Sequence, residues 1–342
     1  MKRIFLDYAA GIDNPSSVYA SGRAAKKLLD DARSRIAKIL NCRAEELVFT
    51  GSGTEANNLA IFGIPEGHIV STNIEHHSIL RPLEKRGDVV FVPVEPNGIV
   101  NPQDINKAIR PDTKLVSVIY ANNEIGTIQP IRAIKKAIGK VPLHTDACQA
   151  AGFLNLNVQE LGVDLMTING SKIYGPHGVG ALFVRRGVKL APQLLGGDQE
   201  RGLRAGTQNP ALAMAFAKAL ETCNTQRVTR IVKMTKLRDW FISQIPEAKL
   251  NGDAQERLPN NINLSFDDVD GEMLMLRLDL KGIEVSTGAA CTVTSNEPSH
   301  VLQAIGATGG NIRITLGRDT TKKDLQQVVK ILKQEVEFLR KN

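Results

Sequence analysis

The stretch Leu165-Met166-Thr167-Ile168-Asn169-Gly170-Ser171-Lys172 joins a short apolar run to a glycine turn and a lysine. The run Leu165–Asn169 has the length and composition of a buried strand. Lys172 is followed by the glycine-rich segment Tyr174–Gly180. On this motif alone, Lys172 is either a solvated loop residue or a lysine held near the sheet that can lose its charge and form a Schiff base.

Similar apolar runs recur before and after this stretch. The seven predicted strands are Leu47–Thr50, His68–Ser71, Val89–Val94, Lys114–Tyr120, Pro142–Thr145, Leu165–Asn169 and Gly180–Val184. Helix-period segments alternate with them, and the first has an apolar face made of Leu28, Ala32, Ile36 and Leu40. This alternation predicts an α/β fold in which helices cover both faces of a mainly parallel seven-stranded sheet.

The last third of the chain has a different pattern. A long helical segment, Asn209–Ile245, precedes further strand-like runs and a final helix whose start, Thr321 to Asp324, has capping-box spacing. The strand-like runs are Asn261–Phe266, Ile283–Ser286 and Ile312–Leu316. We therefore predict a smaller α+β C-terminal domain. The predicted boundaries are residues 13–225 for the large domain, and residues 1–12 with 226–342 for the small domain.

The composition is that of an ordinary globular protein. The 342 residues are 42% hydrophobic and 23% charged, which suffices for a large core. No apolar run reaches the ~18 residues that a membrane span needs, and the N-terminus lacks a secretion signal, so we expect a cytoplasmic protein. The net charge is +7, but basic and acidic residues mix along the helical segments and no nucleic-acid-binding motif occurs.

The cysteines, Cys42, Cys148, Cys223 and Cys291, include no CxxC pair and no metal-ligand spacing, so no metal site is predicted. Three of them are interpreted as small buried apolar residues. Cys291 differs because the small and polar residues around it, in Ser286–Pro298, favour an accessible thiol. A buried cysteine at a strand end is the alternative interpretation.

Two further motifs follow predicted strands, where open α/β sheets bind their ligands. Gly51–Asn58 is a glycine-rich turn that enters a helix, an arrangement that suits a phosphate, although most such turns bind nothing. Asp146 follows the strand Pro142–Thr145. It is either a helix N-cap or the partner of a protonated ring nitrogen.

Taken in this order, the motifs resemble those of the cysteine desulfurases, pyridoxal-phosphate (PLP) enzymes of fold type I in the class V aminotransferase family. The resemblance extends over nearly the whole chain. Its markers are Leu6–Ala10, Asn14–Ser17, Phe49–Thr50, Gly53–Glu55, Glu75–His76, Asn122–Gly126, Asp146 with Gln149, Ser171–Gly180, Gln199–Gly202, Arg204–Thr207, Gly288–Thr292, Glu297–Ser299, and Arg313 with Leu316–Arg318. It implies that the large domain binds PLP and that the small domain carries the catalytic cysteine.

The resemblance also implies roles around the cofactor ring. Lys172 is expected to bind PLP covalently, and Asp146 to face the pyridine nitrogen and keep it protonated. Gln149 is expected to hydrogen-bond the phenolic oxygen. His76 is expected to stack on the ring and to assist proton transfer, although a lone histidine would more simply be a core residue.

The expected phosphate contacts come from Gly53, Thr54, Asn169 and Ser171. Thr207 is expected to reach the phosphate of a neighbouring subunit, since such enzymes are usually homodimers. Asn169 and Ser171 stand where relatives usually have serine and histidine, but both side chains can still donate hydrogen bonds.

The implied substrate is L-cysteine, with Asn123 and Arg313 holding its carboxylate. Cys291 would take the sulfur as a persulfide, release L-alanine, and pass the sulfur to an acceptor such as an iron–sulfur scaffold protein or toward tRNA thiolation. The catalytic residues are then Lys172, His76 and Cys291. The alternatives are a selenocysteine lyase, a class V aminotransferase without sulfur chemistry, and an inactive relative that only binds a sulfur-transfer partner.

Departures from the family pattern are few. The segment Ala10–Pro15 is shorter than in relatives and borders the expected active-site mouth, and His177 replaces a common lysine. The separation between Cys291 and Arg313 resembles that of desulfurases with a long loop that serve scaffold proteins.

Overall fold

The computed structural model describes residues 3–288 and 299–341. The strands are β1 (Leu47–Thr50), β2 (Ile69–Thr72), β3 (Val89–Val92), β4 (Leu115–Ser117), β5 (Leu143–Asp146), β6 (Leu165–Asn169), β7 (Gly180–Val184), β8 (Lys249–Leu250), β9 (Asn261–Phe266) and β10 (Gly310–Thr315). The helices are α1 (Ala20–Leu40), α2 (Gly53–Gly63), α3 (His77–Arg86), α4 (Pro102–Lys107), α5 (Ile131–Ile138), α6 (Val158–Leu161), α7 (Pro210–Thr225), α8 (Arg227–Ser243), α9 (Gly271–Asp279), α10 (His300–Ala304) and α11 (Lys322–Lys341). Short 3₁₀ helices are Tyr8–Ala10, Ala44–Glu46, Ala150–Gly152, Gly170–Ile173 and Gln199–Gly202.

The first seven strands form one sheet in the order β1-β7-β6-β5-β4-β2-β3. The pairs among β2, β3, β4, β5 and β6 are parallel, whereas β7 runs antiparallel to both β6 and β1. Strands such as β1 and β7 are buried along their whole length, as expected for a sheet covered on both faces. The predicted mainly parallel seven-stranded sheet is therefore confirmed.

Helix α1 packs on α7, and both share one core with strands of this sheet. Its buried face contains Ala32, Ile36 and Leu40, as the apolar spacing predicts. The prediction for Leu28 was wrong, because its side chain is 38% exposed while Leu29 points inward. The helical face is therefore rotated slightly from the predicted one.

A second, antiparallel sheet, β10-β9-β8, lies in the C-terminal third and packs with α8, α9 and α11 around its own core. Phe241, Leu264, Leu274 and Leu332 are fully buried or nearly so in that core. The smaller α+β unit has the predicted character, and the boundaries 13–225 and 226–342 stay a prediction.

The predicted strand Ile283–Ser286 was wrong. Only Ser286 pairs, through an isolated bridge to Arg313. The Ser286 hydroxyl then donates to the carbonyl oxygen of Gly288 at 2.7 Å, which turns the chain away from the sheet. Strand β8 was not predicted, because two residues leave no readable alternation.

The predicted capping box at the start of α11 is confirmed. Thr321 Oγ1 accepts from the amide of Asp324 at 3.2 Å, and the Thr321 amide donates to Asp324 Oδ2 at 2.9 Å. Among the described residues, no helix is both long and apolar enough to span a membrane.

Candidate active site

A cavity of about 630 Å³ lies at the carboxyl ends of the parallel strands, where it meets residues of the second sheet. It brings together predicted site residues that are far apart in sequence. Those lining it are Gly53, Thr54, His76, Asn123, Asp146, Gln149, Asn169, Ser171, Lys172 and Arg313. The roles that the sequence suggests for these residues are thus compatible with a single site.

The start of α2 forms one wall of the cavity. Ser52 is the N-cap and accepts the amide of Glu55 at 3.1 Å, so the first turn presents its remaining N–H groups at a helix N-terminus. A Cβ on Gly53 would lie 2.8 Å from Cys148 Sγ. A side chain at position 53 would therefore press against Cys148, which follows β5.

Asp146 ends β5 and is held by donors on both of its oxygens. Oδ1 accepts the amide of Cys148 at 2.9 Å, and Oδ2 accepts Asn57 Nδ2 at 2.8 Å. Asp146 is 5% exposed and Asn57 is 1% exposed. The carboxylate is thus fixed in position within the cavity wall.

Asn57 was not predicted as a site residue, and neither was Ser78. Asn57 Nδ2 donates to Ser78 Oγ at 2.8 Å, and Ser78 Oγ lies 2.7 Å from His76 Nδ1. A hydrogen-bonded chain therefore runs from Asp146 to His76. The available sequence signal for Asn57 was a polar residue on the apolar side of the helix that follows the glycine turn.

Lys172 follows β6 in a 3₁₀ turn, Gly170–Ile173, and its side chain reaches the cavity. Asn169 caps this turn by accepting the Ser171 amide at 3.3 Å. Tyr174 comes next in a left-handed conformation with a φ of 62°, and its hydroxyl accepts the Arg318 amide at 2.9 Å. The backbone around Lys172 is therefore tied to the second sheet's domain.

The second sheet contributes Arg313, from β10. Its Nη1 donates to the carbonyl oxygen of Asn123 at 3.3 Å, so the two residues predicted to bind a carboxylate are neighbours. Glu124, next in the chain, is buried and accepts Ser299 Oγ at 2.5 Å. A Cβ on Gly288 would lie 3.4 Å from the same Glu124 oxygen, Oε2.

One predicted site residue does not line this cavity, and another lies outside the described residues. Thr207 is exposed and does not line it within one chain. Cys291 lies outside the described residues, in the interval between Gly288 and Ser299. No group of three or more His, Cys, Asp or Glu side chains that could hold a metal occurs within residues 3–288 and 299–341.

Burial changes the titration of two nearby groups. It raises the pKa of the Cys148 thiol well above its ordinary value, and the charge of Asp146 adds to this effect. Cys148 therefore stays protonated, but it is only partly buried and lines the cavity, so it is not the buried packing residue that was predicted. Burial also raises the pKa of Glu75 to about 8, although hydrogen bonds from Thr72 and the Ile119 amide oppose the shift.

The residues present fit PLP chemically. Lys172 offers an amine, Asp146 a carboxylate for a ring nitrogen, and Gln149 an amide for a phenolic oxygen. The N-terminus of α2 offers backbone N–H groups of the kind that bind phosphate. These groups surround one cavity, which is what the bound cofactor requires.

Comparison with known proteins agrees with this site. The family model "Aminotransferase class-V" matches residues 1–328. Cysteine desulfurase IscS of Dictyoglomus turgidum is 44% identical, with 99% of this chain and 96% of the relative covered. Cysteine desulfurase IscS 1 of Archaeoglobus fulgidus is 42% identical, with 96% and 90% covered. A solved structure titled "NIFS-LIKE PROTEIN" has a TM-score of 0.88 and 32% identity, with 95% and 92% covered.

The chain therefore belongs to the class V aminotransferases and has fold type I of the PLP-dependent transferases. Within that family it belongs to the cysteine desulfurases, because its full-length similarity to them exceeds 40% identity.

Proposed function

We propose that this protein is a cysteine desulfurase that converts L-cysteine to L-alanine and holds the released sulfur as a persulfide on Cys291. The observation that carries the proposal is the single cavity that gathers Lys172, Asp146 and Gln149 with Asn123 and Arg313. Lys172, Asp146 and Gln149 match the functional groups of PLP. Asn123 and Arg313 match the carboxylate of an amino acid. Family membership supports the same assignment.

PLP is the proposed cofactor. When bound, it withdraws electrons from the α-carbon of the substrate and so makes the bonds around that carbon easier to break. Lys172 would hold it covalently. Asp146 would pair with the pyridine nitrogen, from a position fixed by Asn57 and the Cys148 amide. Gly53, Thr54, Asn169 and Ser171 would bind the phosphate, and Gln149 the phenolic oxygen.

Arg313 and Asn123 would orient the substrate. A guanidinium and an amide can hold a carboxylate through parallel hydrogen bonds, which fixes the direction of the side chain that carries the sulfur. Lys172, which lines the same cavity, would move the α-proton. The Tyr174 hydroxyl, just after the Lys172 turn, also accepts the amide of Arg318, which follows β10.

Cys291 would act as the nucleophile. Its thiolate attacks the sulfur of the substrate, a sulfur–sulfur bond forms as the carbon–sulfur bond breaks, and the three-carbon fragment is protonated and leaves as alanine. The persulfide then passes to a sulfur-acceptor protein, such as an iron–sulfur scaffold, or toward tRNA thiolation. We propose a homodimer in which Thr207 completes the phosphate site of the partner.

The test measures the visible absorbance of the purified protein, then alanine and sulfide formed from L-cysteine with a reductant present. Lys172→Ala should lose both the cofactor absorbance and the products, whereas Cys291→Ala should keep the absorbance and lose both alanine and sulfide. Cys42→Ala is the matched control, because burial raises the pKa of the Cys42 thiol to about 12 and its loss should change neither product.

Other outcomes would reject the proposal in distinct ways. Amino transfer to a keto acid that is unaffected by Cys291→Ala would indicate an aminotransferase. Turnover of selenocysteine but not of cysteine by the wild type, unaffected by Cys291→Ala, would indicate a selenocysteine lyase. A colourless protein would indicate an inactive relative that only binds a partner.

A further inference from the structure

Two hydrogen-bond donors converge on one ring nitrogen of His76. The backbone amide of Ser78 donates to His76 Nδ1 at 3.1 Å, and Ser78 Oγ lies 2.7 Å from the same atom. His76 is the N-cap of α3, so this amide is one of the helix N–H groups that need a partner outside the helix. Because an amide N–H can only donate, Nδ1 must be an acceptor.

The direction of the Ser78 hydroxyl bond follows from its other neighbour. Asn57 Nδ2 donates into Ser78 Oγ at 2.8 Å, so the single hydroxyl proton of Ser78 is left to donate to Nδ1. The orientation of the Asn57 amide is fixed in turn. If it were flipped, its oxygen would face the Asp146 carboxylate, which can only accept when ionised.

We infer that Asn57 and Ser78 are positioning residues that hold neutral His76 in the tautomer with its proton on Nε2. This inference deepens the proposed function and rests on it for its catalytic meaning. Asp146 orients Asn57, Asn57 orients the Ser78 hydroxyl, and the hydroxyl and amide of Ser78 together select the tautomer. The group proposed to face the cofactor ring nitrogen is thereby connected to the histidine proposed to stack on that ring.

The tautomer decides which chemistry His76 can perform. A neutral imidazole with its proton on Nε2 donates a hydrogen bond from that atom and has no lone pair there to accept a proton. The hydrogen-bonded chain from Nδ1 through Ser78 and Asn57 to Asp146 cannot carry the proton away either, because the side-chain amide of Asn57 cannot relay a proton. His76 is therefore a fixed hydrogen-bond donor in the cavity rather than the proton-transfer group that the family resemblance implies, and moving the α-proton falls to Lys172.

The tautomer can be measured without any turnover. The full-length protein with its cofactor is labelled with ¹⁵N-histidine, and two-bond ¹H–¹⁵N spectra are recorded in mildly alkaline buffer. His76 is identified as the signal set missing from His76→Gln. In the wild type, Nδ1 should resonate as an unprotonated ring nitrogen and Nε2 as a protonated one.

The variants test the positioning step. Ser78→Ala should lower the ratio of the Nε2–H to the Nδ1–H tautomer by roughly three- to tenfold, the effect of losing one hydrogen bond. Ser78→Thr keeps the hydroxyl and should restore the ratio. Ser117→Ala is the matched control, because Ser117 Oγ lies 2.9 Å from Nδ1 of a different histidine, His144. It should leave the His76 signals in place.

A protonated Nδ1 on His76 in the wild type would overturn the inference. This measurement does not depend on whether any variant folds. An unchanged ratio in a Ser78→Ala protein with wild-type circular dichroism would overturn the role of the hydroxyl. If the expected tautomer is found in a protein that makes no alanine or sulfide, the proposed function fails while the positioning remains.

Discussion

Replacing Arg33 with methionine should destabilise the fold by about 3–5 kcal/mol, because it leaves a buried carboxylate without its counter-ion. Arg33 Nη2 lies 2.7 Å from Glu200 Oε1, and Nη1 lies 2.8 Å from Oε2. Glu200 is 3% exposed, and Arg33 also donates to the carbonyl oxygen of Leu47 in β1. Arg33 therefore connects the segment around Glu200 to β1, the strand that precedes the glycine turn Gly51–Gly53.

The pH dependence of this loss follows from the titration of Glu200. Burial alone would raise the pKa of Glu200, but the hydrogen bond and charge of Arg33, with the Phe49 amide, lower it overall. A carboxyl whose pKa is lower in the folded protein than in the unfolded chain stabilises the fold at any pH above its pKa in the unfolded chain. That contribution is lost as the pH falls through its pKa in the folded protein. The deficit of Arg33→Met should therefore be largest near neutral pH and shrink as the pH falls, first because the buried Glu200 of the variant takes up a proton and then because the wild type loses its ion pair.

The assay is urea denaturation followed by circular dichroism at several pH values. Arg35→Met is the matched control on the same helix, since its pair with Glu221 is about 40% exposed and should contribute less than about 1 kcal/mol. Adding Glu200→Gln to Arg33→Met should recover part of the loss. Equal midpoints for the two arginine variants, or a deficit that does not change with pH, would refute the reasoning.

Three further predictions concern the site and its surroundings. Burial raises the pKa of Glu75 to about 8, so the folded protein keeps a proton that the unfolded chain has released; the free energy of unfolding of the wild type relative to Glu75→Gln should therefore fall between about pH 4.5 and 8 in denaturation curves, whereas the buried His144 affects both proteins alike. Ser299→Ala removes the N-cap of α10 and a bond to Glu124, so the Leu302 amide should exchange faster, by the equivalent of about 1 kcal/mol. Arg313→Gln should raise KM for L-cysteine about 10- to 100-fold in steady-state assays, and an unchanged KM would place the carboxylate elsewhere.

The large sheet was predictable because its strands are short, apolar and buried on both faces. All seven predicted runs overlap observed strands, and errors lie at the ends, such as β4, which ends at Ser117 rather than Tyr120. The prediction failed at Ile283–Ser286, where the chain pairs with β10 through one isolated bridge instead of a continuous ladder. An apolar run does not reveal whether a partner strand continues beside it.

The site was predictable only in part. Residues with unusual chemistry at strand ends, such as Lys172 and Asp146, are visible in the sequence. The roles of Asn57, Ser78 and Glu124 are not, since these roles come from contacts between elements that lie far apart in the chain. An asparagine on a helix is unremarkable until the carboxylate that it faces is known.

The structural and functional interpretations of the strand-end residues turn out to describe the same geometry. Ser52, His76 and Asn169 are all helix N-caps, and each accepts an amide from the turn that follows its strand. A chain that leaves a parallel strand and enters a helix must bring an N-terminus, a capping side chain and free N–H groups to the same edge of the sheet. Those groups also suit a phosphate and an oriented imidazole. Each motif alone therefore fits a simple cap, and only their convergence on one cavity, with Lys172 inside it, distinguishes an active site from a set of ordinary helix starts.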